Sequence, residues 1–254
     1  MFTKAIVRRP ARFMINGITA HPELGKPDHE LAVRQHDAYI AALERCGLSV
    51  EVLPALEGYP DSCFVEDVAV CTRRFALVTL PREKSRSGEI AGMDVLLGRH
   101  FPVIESIKAP GTLEGGDVMM IGDAFYIGLS SRTNAEGARQ FIGHLERYGL
   151  EGHTVCMPPT LHLKSGLSYL EDGWLLVESA FAGLAEFSGF KRIDIMPAEA
   201  YAANCIRIND FAIVPAGYPK ALADIKATGI PVIELDMSEF RKIDGSLTCL
   251  SLRF

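Results

Sequence analysis

Long uninterrupted apolar runs are missing from this 254-residue sequence, and no stretch approaches the roughly 20 apolar residues that a membrane-crossing helix needs. The opening MFTKAIVRRPARF has basic residues but no apolar core or small-residue cleavage site after them, so it is expected to form the mature protein's first strand. Paired-cysteine signals are missing as well. Cys46, Cys63, Cys71, Cys156, Cys205 and Cys249 make no CxxC and no compact framework, and a chain of this size needs no covalent staples. The histidines are scattered, without HExxH or a Cys/His cluster, which argues against structural zinc. No strand runs into GxGxxG at a helix start and no P-loop occurs, which disfavours nicotinamide and nucleoside triphosphate chemistry. Excess positive charge is lacking too: the net charge is −6, so no nucleic-acid partner is expected. The single tryptophan, Trp174 in DGWLLVES, reads as core.

What is present is an ordinary globular mixture, with 48% hydrophobic and 23% charged residues, enough to bury a large core. The expected compartment is the cytoplasm. Short basic clusters at Arg8, Arg9 and Arg12, at Arg73 and Arg74, and at Arg82, Lys84 and Arg86 have carboxylates nearby in the sequence and read mostly as solvated faces.

Helix-then-strand units recur. DHELAVRQHDAYIAALERC (28–46) places Leu31, Gln35, Ala38, Ala42 and Cys46 near one helical face, with Gly47 as its stop and LSVEVLP as the next strand. NAEGARQFIGHLERYGL leads likewise to GHTVCMP, and PKALADIKATGI to PVIELD. Paired strands repeat alongside: EDVAVCTRRFALVTLP, GGDVMMIGDAFYIGLS, SGLSYLEDGWLLVESA and ANCIRINDFAIVPAGY each read as apolar run, short polar turn, apolar run. A fifth copy would be split, with LTCLSLRF pairing with TKAIVRRP from the other end of the chain. Asp67, Asp117, Ser165, Asn204 and Thr248 recur at intervals of about 40 to 50 residues. The pattern predicts a single domain over residues 1–254, an α/β toroid of five repeats closed by its two terminal strands. An ordinary mixed α/β domain with look-alike hairpins is the alternative.

In such a repeat the segments entering each unit converge. They are DSCFVED (61–67), TLEGG (112–116), HLKSG (162–166) and DGSLTC (244–249), offering Asp61, Glu66, Asp67, Glu114, His162 and Cys249. A thiolate is a good nucleophile at electrophilic carbon, and a histidine fixed by a carboxylate can move protons for it. Extra carboxylates would repel an oxyanion but suit a cation. A planar guanidinium matches them by bidentate contacts, so attack on its central carbon, loss of an amine and hydrolysis would leave a urea. Each residue also has a plain reading: Cys249 as packed core, His162 as a loop-holding histidine, Glu114 beside GG as an exposed turn acid, Asp61 as a turn or cap residue. The other five cysteines read as core.

These motifs resemble the dimethylarginine dimethylaminohydrolases of the guanidine-modifying (pentein) superfamily, nearly end to end. The resemblance rests on LGKPD (24–28), PDSCFVED (60–67), APGTLEGGDVMMIG (109–122), SSRTNAEGARQ (130–140), LHLKSGLSYLE (161–171), YAANC (201–205), IVPAGYP (213–219) and SEFRKIDGSLTCLSLRF (238–254). It implies a five-bladed αββαβ propeller that converts dimethylarginine or monomethylarginine to citrulline. Cys249 would be the nucleophile and His162 the proton donor and activator of water, with Glu114 holding His162 and the guanidino group. Asp67 with Asp61 would bind the substrate's nitrogen end, within the acidic cluster that includes Glu66. Arg86 and Arg132 would face its α-carboxylate. The backbone around Ile18, with Ile243 and Asp244 near it, resembles a lid that receives the α-amino group, here with HPE inserted before LGKPD. The chemistry calls for no metal or organic cofactor, zinc is expected to inhibit by capturing the thiolate and histidine, and the resemblance suggests a homodimer. Two other readings stay open: arginine deimination, which shares the LEGGDV form but whose usual HLD is HLK here, and a noncatalytic methylarginine-binding protein.

Overall fold

The computed structural model describes residues 1–254. Its strands form five three-stranded sheets built to one plan, in which a central strand pairs antiparallel with one neighbour and parallel with the other. Tight turns can join only antiparallel neighbours, whereas a parallel partner needs a crossover, and the chain uses both in turn. The hairpin pairs are Ala69–Cys71 with Ala76–Val78, Val118–Ile121 with Ala124–Leu129, Leu167–Tyr169 with Trp174–Glu178, and Ile206–Ile208 with Phe211–Pro215. Gly122, at φ +64°, opens the two-residue turn of the second, a backbone region that glycine enters without steric cost. In the remaining sheet the antiparallel pair is made by the ends of the chain. Lys4–Arg8 lies against Ser251–Arg253 with Ala5 opposite Arg253 and Val7 opposite Ser251, the pairing expected from sequence.

Each sheet is completed by a parallel strand after a crossover: Ser49–Leu53, Ile104–Ser106, Glu151–Cys156, Lys191–Ile195 and Val232–Leu235. Three crossovers hold the predicted helices. His29–Arg45 begins where the Asp28 carboxylate accepts the Leu31 N–H at 2.9 Å, and Ala135–Arg147 where Asn134 accepts the Gly137 N–H at 2.8 Å. Pro219–Ala227 starts on proline, whose missing N–H no helix start requires. The other two crossovers hold only the short helix Met93–Leu97 and the 3-10 turns Lys84–Arg86, Ser179–Phe181 and Ala185–Phe187.

The chain packs as two compact units. The first, Met1–Val65 with Asn204–Phe254, holds two sheets and buries Ile6, Tyr39, Leu43 and Phe240 completely. The Tyr39 hydroxyl meets Leu247 O at 2.9 Å and Ser251 Oγ at 2.6 Å, so the helix anchors the C-terminal segment by polar as well as apolar contacts. The second, Glu66–Ala203, holds three sheets and two apolar clusters. One gathers Phe75, Phe125, Phe141 and Leu145, and the other Leu163, Leu175, Phe181 and Phe187.

Candidate active site

In the second unit six of the predicted residues, Glu66, Asp67, Arg86, Glu114, Arg132 and His162, lie in a buried ionic cluster. Leu163, fully buried in the second apolar cluster, anchors the 3-10 turn Leu163–Ser165 and so places His162 at its edge. Glu114 lies one residue before the turn Gly115–Asp117 and is fully buried, which removes the exposed-turn reading. His162 Nε2 stands 2.8 Å from Glu114 Oε2 and 4.0 Å from Asp67 Oδ1. The glycine pair makes this approach possible. A Cβ on Gly116 would lie 2.6 Å from His162 Nδ1, and one on Gly115 would lie 1.9 Å from the Glu66 carbonyl oxygen.

Asp67 Oδ1 accepts the Gly116 N–H at 3.0 Å, and its Oδ2 accepts Arg86 Nη1 at 2.6 Å. Arg86 is itself only 3% exposed and also donates to Glu89, with Nη2 at 2.8 Å. Arg132 Nη1 lies 3.4 Å from Glu114 Oε1, and its Nε 3.8 Å from Glu83. Glu66, next to Asp67, pairs with Lys164 at 2.6 Å and so ties the turn Val65–Val68 to the histidine's turn.

Burial opposes a charge on His162, but Asp67, then Asp117 and Glu114, outweigh it and lift the imidazole to about 9. Burial likewise opposes ionisation of Asp67, and His162 and Arg86 overcome it, holding this carboxyl below the usual carboxylate range. The cluster therefore holds an imidazolium among carboxylates at neutral pH, an arrangement suited to delivering a proton. Asp67, Glu114 and His162 offer ligand atoms within 4.8 Å of one another, a spacing that would suit a cation. Arg86, Arg132 and the imidazolium already meet those carboxylates.

In the first unit Cys249 is partly exposed, in the 3-10 turn Thr248–Leu250 just before the terminal strand rather than within a strand. The fold grips its neighbours. Asn204 accepts Thr248 N–H with Oδ1 and donates from Nδ2 to Thr248 Oγ1, both at 3.1 Å, and Arg253 Nη1 donates to Thr248 O at 3.0 Å. The Thr248 hydroxyl lies 4.0 Å from Cys249 Sγ. Sequence reasoning met Asn204 only as a repeat marker; its place in YAANC opposite DGSLTC carried no chemical signal.

The segment around Ile18 is also assembled in this unit. Ile18 N–H donates to Asp61 Oδ1 at 3.0 Å, while Asp244 accepts Ala20 N–H at 2.6 Å and the Thr19 hydroxyl at 3.3 Å. Gly17 lies against Ile243 and Asp61: a Cβ there would stand 2.8 Å from Ile243 Cγ2 and 3.1 Å from Asp61 Oδ1. Thus Ile18, Asp61, Ile243 and Asp244 come together, although nearly the whole chain length separates their segments. Among the five cysteines read as core, Cys46, Cys63 and Cys205 are buried and Cys71 is intermediate, but Cys156 is exposed and is not a core residue.

Residues 9–155 match the family model described as N,N dimethylarginine dimethylhydrolase, eukaryotic. The N(G),N(G)-dimethylarginine dimethylaminohydrolase of Pseudomonas aeruginosa is 50% identical over the full length of both chains. A dimethylarginine dimethylaminohydrolase H162G variant in adduct with S-methyl-L-thiocitrulline superposes with a TM-score of 0.98 at 50% identity, covering all of both chains. The Pseudomonas aeruginosa C249S variant complexed with citrulline gives the same TM-score, 0.98, at 50% identity and full coverage of both chains. The fold is thus the αββαβ propeller of these relatives, as the repeat predicted. With half its residues shared from end to end and the buried histidine, glutamate and aspartate cluster in place, this chain belongs to the dimethylarginine dimethylaminohydrolase family of the guanidine-modifying superfamily.

Proposed function

We propose that this enzyme hydrolyses N(omega),N(omega)-dimethyl-L-arginine and monomethylarginine to L-citrulline, releasing dimethylamine or methylamine. The observation that carries the reading is the buried His162–Glu114 contact of 2.8 Å beside Asp67, in a chain half identical to a dimethylarginine dimethylaminohydrolase. Two relatives offer support at the reacting positions. One was solved as its H162G variant and one as C249S bound to citrulline, and this chain carries histidine and cysteine under the same numbers.

The chemistry divides into two halves. The Cys249 thiolate adds its electron pair to the guanidino carbon and forms a C–S bond. The protonated His162 gives its proton to the departing nitrogen, the C–N bond breaks, and neutral amine leaves behind a thiouronium. His162, now neutral, takes a proton from water as the water oxygen attacks the same carbon. The C–S bond then breaks, returning the electron pair to sulfur, and the remaining proton of the added hydroxyl passes to solvent, leaving the urea of citrulline. Cysteine lends an electron pair and is regenerated while water supplies the urea oxygen, so these steps call for no metal or organic cofactor.

Glu114 orients His162 and stabilises its cationic form. Asp67 and Asp61 receive the guanidino nitrogens, with Glu66 adding to the negative side. Asp67 already holds a guanidinium, that of Arg86, which supports its suitability for the substrate's own. Arg86 and Arg132 would turn from these carboxylates to the substrate's α-carboxylate, and the Ile18 segment with Ile243 and Asp244 would take the α-amino end. On this reading residues 1–254 work as one catalytic domain. We also infer a cytoplasmic homodimer from family membership, to be tested by fractionation and by mass in solution.

The Cys249→Ser variant tests the reading: citrulline formation should vanish while methylated arginine still binds. Undiminished turnover would remove Cys249 from the chemistry, and a wild-type protein that binds reversibly without turnover would make this a noncatalytic binder.

A further inference from the structure

Asp117 takes no part in the steps above, yet it is completely buried and bonded toward three residues that do. It closes the TLEGGD segment, three residues after Glu114. A buried carboxylate is costly unless its oxygens are occupied, and here both are. Oδ1 accepts the Leu163 N–H at 3.0 Å, so the peptide following His162 is fixed to it. Oδ2 accepts the Ser130 hydroxyl at 2.6 Å. Ser130 Oγ in turn accepts the N–H groups of Arg132 at 2.9 Å and Thr133 at 3.1 Å. The Thr133 hydroxyl closes the circuit by accepting Glu114 N–H at 3.2 Å, and it also hydrogen-bonds to Asp117.

We propose that Asp117, working through Ser130 and Thr133, is the positioning residue that sets the register of His162, Glu114 and Arg132. The proposal rests on the functional reading of those three residues. His162 and Glu114 lie 48 residues apart on separate segments, each followed by a single 3-10 turn. One 3-10 turn has few internal hydrogen bonds with which to resist sliding. The apolar seat of Leu163 holds it against the core, but hydrophobic contact has no direction. The Asp117 bonds supply direction, tying both turns and the arginine's segment to one point. A misplacement of about 1 Å costs on the order of 10²-fold in rate, so this network acts on turnover although it touches no substrate.

A merely structural role would lower thermal stability and the number of competent molecules while leaving turnover per competent site unchanged. The test therefore reads kcat per site, counted by alkylation of Cys249, together with the proton resonance of the His162 Nε2–H. Asp117→Asn preserves shape while removing the charge, Thr133→Val removes only the hydroxyl, and Thr133→Ser restores it. Asp117→Asn and Thr133→Val should each lower kcat per site by about tenfold or more and shift or broaden the His162 resonance. Thr133→Ser should stay within about twofold of wild type in rate, with the resonance in place. Folded Thr133→Val with both readouts unmoved would overturn the proposal, and the threonine pair decides it even if Asp117→Asn does not fold. The resonance needs no turnover, so a wild type inactive on methylated arginines would sink the functional reading while the positioning claim is still decided.

Discussion

His162 Nε2 stands 2.8 Å from Glu114 Oε2, with the glutamate fully buried and the histidine 6% exposed. A group placed this deep is screened less than one at the surface, so the carboxylates around the imidazole act on it strongly. Against the opposing effect of burial, Asp67, then Asp117 and Glu114, raise the ring's pKa to about 9. An acid with a pKa above neutrality suits an amine leaving group, which departs readily only once it is protonated.

The pH dependence of kcat follows from that shift. Because the histidine's pKa is raised to about 9, the acid form is present below that pH and is lost above it. The rate should fall on an alkaline limb near pH 9, and Glu114→Gln should lower kcat by about 10²-fold or more and move the limb to lower pH. An alkaline limb that stays in place in Glu114→Gln would count against the coupling.

Gly116→Ala probes the same contact by steric means. The added methyl would sit 2.6 Å from His162 Nδ1 and 2.7 Å from Cγ, so the ring must move. A loss of about 10²-fold in kcat is expected, larger than any change in KM, as measured by steady-state kinetics beside thermal unfolding.

His36 predicts how the protein responds to acid. It is fully buried beside Phe240. Burial, then Arg9, pulls its pKa down from 6.5 to about 4, with Asp37 acting the other way. A histidine depressed in the folded state takes up its proton more readily when unfolded. Stability should therefore be unaffected by this group above about pH 6.5 and should decline from there toward pH 4, by up to about 3 kcal/mol. Urea unfolding across pH 4 to 7 should show that slope flattened in His36→Gln.

Removing residues 251–254 should unfold the protein and abolish activity together. Ser251 and Leu252 are buried in the strand paired with Lys4–Arg8. Phe254 O also accepts the N–H groups of Thr3 and Lys4 at 2.9 and 2.8 Å, and Arg253 holds the Thr248 carbonyl beside Cys249. A truncated chain with native circular dichroism and native turnover would contradict this placement.

Much of this was legible because the repeat is written in apolar periodicity. The hairpins, three long crossover helices and the pairing of TKAIVRRP with LTCLSLRF all appear where alternation and glycine stops put them. The strands Ile104–Ser106 and Lys191–Ile195 escaped notice because their crossovers hold only a short helix or single 3-10 turns, too brief to show a helical period. At the site, residue types pointed to cysteine, histidine and carboxylates. Ser130 was silent, and Asn204 and Asp117 showed only as repeat markers with no chemical signal, because in sequence they look like any turn or strand-end polar group. Burial is what gives them meaning, and burial of single polar groups is not written in a hydrophobic pattern.

The most direct measurement is parallel turnover of arginine, monomethylarginine and dimethylarginine by the purified protein, with citrulline and the released amine quantified together. The account predicts citrulline matched by equimolar methylamine or dimethylamine, at a higher kcat/KM than arginine gives with ammonia. Preference for unmethylated arginine, or binding of all three without any amine release, would contradict it.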